Sequence, residues 1–138
     1  MAMTLTSTAA DAMLTALGTQ CNSGRINIYM GTPPANASAA TTGATLLATA
    51  TFGNPAFSTT ISTSGNNRVM AAEAITADTA ADASGPASFF RALRSDGTTV
   101  LYQGSVGTSA SDMIMPSTDI IVGGNVSVSS LSISLPMV

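Results

Sequence analysis

The sequence predicts an all-β domain, a β-sandwich or jelly-roll-like arrangement of about seven to nine short strands with one short N-terminal helix. Three features point there. From Arg25 onward, apolar residues alternate with Ser, Thr and Asn in short runs, the period of a strand with one buried face. Gly, Pro, Asn and Asp interrupt those runs about every ten residues, as turns do in sandwiches. Helical spacing is confined to the first segment. The 138 residues read as one domain, 1–138, with 1–24 an arm and helix and 25–138 the sandwich. A chain of this length buries roughly two-thirds of its unfolded surface and needs no staples.

Residues 8–17 (TAADAMLTAL) predict the helix. Met13, Leu14 and Leu17 share a face, Ser7 or Thr8 caps the start, Asp11 suits the first turn and Gly18 the exit. The segment either plugs one end of the sheet core or serves as an arm that docks on another subunit. Residues 25–30 (RINIYM) alternate as a half-buried strand, ended by Gly31-Thr32-Pro33-Pro34. Residues 31–44 have no period and read as one long loop, a length that tends to be functional or mobile.

Strands follow at 45–52 and 56–62, separated by Gly53-Asn54-Pro55, and at 68–76 after Gly65-Asn66-Asn67. The last of these is alanine-rich, but its flanking turns favour strand over helix. Residues 88–95 (SFFRALRS) and 98–106 (TTVLYQGSV) flank Asp96-Gly97, which predicts a hairpin with a type I′ turn. Phe89, Arg91 and Leu93 share one parity there, so Arg91 must be paired or lie near an edge if Phe89 faces the core. Met113-Ile114-Met115 is a brief apolar run before Pro116, and residues 119–122 form another. Residues 125–135 read as one long strand. Its apolar parity changes between Val126/Val128 and Leu131/Ile133/Leu135, which predicts a bulge at Ser129-Ser130.

Composition narrows the chemistry. Charged residues are 8% of the chain, against about 25% in ordinary soluble domains. The four basic residues are Arg25, Arg68, Arg91 and Arg94, the net charge is −3, and lysine, histidine and tryptophan are absent. No basic stripe exists for a nucleic-acid backbone. No window approaches the ~18 apolar residues of a membrane span. The N-terminus has no basic region, and Asp11 interrupts its apolar stretch, so no signal peptide is expected. The lone Cys21 fits synthesis in a reducing cytoplasm.

No catalytic, cofactor-binding or metal-binding residue is expected. Gly107-Thr108-Ser109-Ala110-Ser111 lacks the final glycine of a nucleophile elbow, and the chain has no histidine to act as base. Asp78 and Asp82 are at most a fragment of an oxygen-ligated cation site and read as solvated loop acids. Glu73 is the only glutamate, so paired-carboxylate chemistry would need aspartates from separate loops. The sequons at Asn36 and Asn125 are of the kind chance supplies in a Ser/Thr-rich chain. The polar strand faces are instead Ser, Thr, Ala and Asn, low in side-chain entropy and cheap to desolvate. Charge depletion of that kind marks the cores of interfaces, and eight methionines add adaptable apolar contacts.

The segments AITADTAADASGPASFFRALRSDGTTVLYQGSVGTSASDM and DIIVGGNVSVSSLSISLP, with the N-terminal TAADAMLTALGTQCNSGRINIYMGTPPA, resemble small structural proteins from the virion-morphogenesis modules of tailed bacteriophages and prophages. The likeness spans most of the chain, with residues 45–70 the least distinctive. It implies a particle component, most like a head decoration (cement) protein on the outside of the major capsid shell, made in the bacterial host cytoplasm. The implied partners are the major capsid protein and further copies of the chain, as a dimer or trimer, with the proline-bearing loop or the helix reaching a neighbour. The alternative is a tail- or fibre-associated β-domain that binds a host surface. Such a domain should display aromatic platforms, and this chain has two tyrosines and no tryptophan.

Overall fold

The computed structural model describes residues 3–138. The order is one helix, α1 (Ser7–Gln20), then β1 (Arg25–Met30), β2 (Thr45–Thr51), β3 (Phe57–Ser64), β4 (Asn67–Ala72), β5 (Gly85–Pro86), β6 (Phe89–Leu93), β7 (Val100–Gly107), β8 (Met113–Ile114), β9 (Asp119–Ile120) and β10 (Ser130–Pro136). Eight strands form a ladder in the order β2-β1-β6-β7-β8-β10-β4-β3, and β5 pairs with β9 apart from it. The short β8 joins the two halves. It runs parallel to β7 through Val106↔Met113 and antiparallel to β10 through Leu131↔Met113. Ile26, Ile28, Leu47 and Phe90 from one half meet Phe57, Met70 and Leu131 from the other in one buried cluster. Two sheet halves closing on a shared core give the expected all-β, sandwich-like fold.

The helix is longer than the spacing predicts. Thr6, not Ser7 or Thr8, is the cap: its backbone is extended, and its hydroxyl accepts the Ala9 N–H at 3.2 Å. Gly18 is not the exit. It is buried inside the helix, where a β-carbon would stand 3.1–3.4 Å from Met70 and Phe57. Its missing side chain lets the helix approach the second sheet half, and the exit falls at Cys21. The buried line is therefore Ala10, Leu14 and Gly18, while Met13 faces solvent at 51% exposure. The helix lies on β3, β4 and β10, and a 2.6 Å ion pair from Asp11 to Arg68 ties it to β4.

β1 spans the predicted residues, with Ile26 and Ile28 buried. β4 ends at Ala72 rather than running to residue 76, and Thr76 crosses to bridge Thr51 on β2. That crossing begins a cover over the outer edge of β2: Leu47 C=O accepts the N–H groups of Asp82 and Ala83, and the Asp78 carboxylate accepts the Thr49 N–H. An edge with its ladder groups so occupied is closed to further strands.

The hairpin at Asp96-Gly97 forms, but without a type I′ turn. Of the two residues only Gly97 takes a positive φ, at 73°, and residues 94–99 make a longer connection with a register shift at Ala92/Leu93. The Asp96 carboxylate competes for the backbone, accepting the N–H groups of Thr98 and Thr99 and the Thr99 hydroxyl. Those bonds, Thr99's first, hold its pKa down at about 2.

The long strand expected at 125–135 is two pieces. Val126 pairs alone with Asp78, residues 127 and 128 leave the ladder, and β10 begins at Ser130. The parity change coincides with a change of partner from Asp78 to β8, and at Ser129-Ser130 both residues lie against Ile114, Ser129 through its N–H and Ser130 in the ladder. Likewise only Asp119 and Ile120 of the 119–122 run are paired, leaving Ile121 and Val122 at an exposed tip.

Candidate interaction surfaces

The 31–44 loop is fastened to its own sheet. Every residue of β6 is buried, and the loop lies over Phe89 and Arg91. Arg91, 5% exposed, donates through Nε to Gln103 Oε1 at 3.1 Å and through Nη2 to the carbonyls of Asn36 and Ala39. Gln103 Nε2 donates to Pro34 C=O at 2.9 Å, and Ser88 Oγ to Gly31 C=O at 2.7 Å. Tyr29 stacks on Phe89 with ring centres 5.0 Å apart. Arg91 is therefore paired, with neutral oxygens rather than a carboxylate. Pro33 remains exposed on the loop's outer side.

Several of the other side chains weighed for chemistry have structural partners, while Asp82 is exposed. Asp78 accepts the N–H groups of Thr49 and Ala80, so it knits the 76–83 segment to β2. In the 107–111 turn Ala110 takes φ 50°, and the Ser111 hydroxyl donates to Ser109 C=O. Asp112 accepts the N–H and hydroxyl of Ser105. Asn36 Oδ1 accepts the Ser38 N–H, and Glu73 stands exposed. Among the described residues no three His, Cys, Asp or Glu side chains converge.

Two buried groups stand out. Burial pushes the Cys21 thiol up to about 12. The Tyr102 hydroxyl is buried without a hydrogen-bond partner, and burial drives its pKa above the phenolic range. A buried, unmade hydrogen bond costs about 1–3 kcal/mol. Tyr102→Phe removes the orphaned oxygen and keeps the ring, so it is expected to raise stability by up to about 1 kcal/mol. Chemical denaturation checks this, and a loss of stability would show that the hydroxyl has a partner in solution.

The exposed surface carries few charges, and no aromatic residue is fully exposed. Arg68 is committed to Asp11 and Arg91 to the loop. Phe52, Phe57, Phe89 and Phe90 are buried and both tyrosines are half-buried. What remains outward on β3 and β10 is Ser and Thr, including Ser62, Thr63, Ser132 and Ser134. Exposed apolar side chains are Met3, Met13, Ile121, Val122 and Val138. The sequence reading found the low-charge faces but missed the Ile121-Val122 tip, whose apolar run gave no sign that it would leave the ladder. No protein-family model, curated protein or solved structure matches the chain.

Proposed function

We propose that this chain is a non-enzymatic virion structural protein of a tailed bacteriophage, a head decoration protein. In this reading it binds the outside of the major capsid shell, bridges and stabilises neighbouring capsid subunits, and associates with its own copies as a dimer or trimer. One observation supports it above the others: the outward strand faces are Ser and Thr, with an apolar tip at Ile121 and Val122, a surface that sheds water at little cost on docking. That all six aromatic side chains are buried or half-buried favours the shell over host-surface binding. Many such contacts, repeated over bridged subunits, supply avidity. With charges scarce, binding should respond weakly to salt.

Quantitative mass spectrometry of purified particles, before and after heads are separated from tails, tests the assignment. Copy numbers comparable with the major capsid protein, fractionating with heads, are expected. A few copies fractionating with tails would move the chain to the tail or fibre, and absence from particles would overturn both.

A further inference from the structure

Among the described residues the ladders of the two halves are joined only through β8, which is 2 residues long. It pairs with β7 at Val106 and Gly107 and with β10 at Ser130 and Leu131. Beyond it, among the described residues, β7 pairs only with β6 and β10 only with β4. Their remaining edges border a cleft of about 210 Å³, lined by Phe90, Tyr102 and Ile133 and by the polar Gln103, Asp112, Ser132 and Ser134; Asp112 closes one end of it by accepting the Ser105 N–H.

Antiparallel pairing fixes which backbone groups are free there, because bonded and non-bonded residues alternate. Val106 N–H bonds Ser88 C=O, so even-numbered residues near the end of β7 face β6 and Gln103 turns its N–H and C=O outward. Met137 N–H bonds Asn66 C=O, so odd-numbered residues of β10 face β4 and Ser132 and Ser134 turn outward. Open ladder groups at Gln103, Ser132 and Ser134, beside the apolar Phe90, Tyr102 and Ile133, are completed by an added strand. The other edges of the ladder are less receptive. The 76–83 segment covers β2. On β3 the Arg68 guanidinium bonds Ile61 C=O and the pairing is irregular between Phe57 and Ile61.

We propose that this cleft is a strand-accepting slot and that its occupant is the N-terminal arm of a second copy. Residues 1–6 (MAMTLT) alternate apolar with small or polar residues and carry neither charged side chain nor proline, the pattern of a strand that buries one face. Methionine suits an irregular apolar gap. The arm is tied to its own domain at Leu5, whose N–H bonds Met137 C=O at 2.7 Å, yet Met3 is 87% exposed and so lies outside its own slot. Reciprocal exchange of arms about a twofold axis fills both slots and closes the assembly as a dimer. The proposal rests only on the self-association in the functional reading, and the particle measurement judges the capsid assignment separately.

The test uses full-length chains. Thr4→Cys and Ser134→Cys, which share the outer side of the sheet when Met3 enters the slot, are prepared separately, mixed to exchange copies, and mildly oxidised. A disulfide between the two chains, mapped by peptide mass spectrometry, is expected. Native mass spectrometry at micromolar concentration should show a wild-type dimer that Met3→Asp weakens at least about ten-fold, since a second carboxylate would enter a slot that sets Asp112 beside Phe90 and Tyr102. Met13→Asp, on the exposed face of α1, should leave the dimer intact. A wild-type monomer overturns the proposal. So does a missing cross-link when both thiols react with maleimide, or a dimer indifferent to Met3→Asp, which would leave self-association standing on another surface.

Discussion

Replacing Phe90 by alanine is expected to destabilise the fold by about 3–5 kcal/mol, the range for deleting a buried aromatic side chain. Phe90 is fully buried at the middle of β6 and meets Tyr102 edge-on, with ring centres 5.9 Å apart and planes at 90°. Across the ladder it pairs with Gly104, where a β-carbon would come within 2.8 Å of the Phe90 ring. The ring thus occupies the space a side chain at 104 would fill, and neither strand can close over its loss. Because Phe90 also lines the cleft between β7 and β10, the cavity would open to solvent. Urea denaturation checks the value. The midpoint should fall with an unchanged slope, and a loss below about 1 kcal/mol would mean that the two sheet halves collapse onto the vacated site.

What the sequence reveals about this fold depends on whether a residue's periodic partner is local. β1 is legible to the residue because Ile26 and Ile28 alternate and Gly31 and two prolines stop the run. The helix is legible, but its end is not, because Gly18 serves a contact with Met70 on a distant strand rather than a turn. Asp96-Gly97 marks the hairpin correctly and its turn type wrongly, since the Asp96 carboxylate captures backbone N–H groups that a tight turn would leave free. Residues 125–135 alternate on either side of Ser129-Ser130 and read as one strand, yet Val126 answers to Asp78 and Leu131 to Met113. Periodicity records burial and is silent about partners. The cleft is the extreme case. It exists because β8 is too short to span β7 and β10, a relation among three segments that no local pattern encodes.

Replacing Arg91 by alanine is expected to cost about 2–4 kcal/mol, at roughly 1.5–3 kcal/mol for a hydrogen bond to a charged group, offset in part by release from the guanidinium's own desolvation. The loss should be uneven in space. Arg91 is the link between β6 and the 31–44 loop, through Asn36 C=O, Ala39 C=O and the Gln103 side chain that itself holds Pro34. Without it, those oxygens must find water, and the loop has to lift from Phe89 for water to enter. Hydrogen exchange should therefore accelerate in the loop and in β6 well before it does in β3, β4 and β10. Arg91→Lys should recover little, because an ammonium group lacks the planar fork that reaches Gln103 on one side and the loop carbonyls on the other. Arg91→Met, which keeps length and apolar volume, separates the two roles. If packing alone held the loop, Arg91→Met would restore its protection. If the hydrogen bonds hold it, as the three acceptors around one guanidinium imply, the loop will exchange as fast in Arg91→Met as in Arg91→Ala while global stability partly returns.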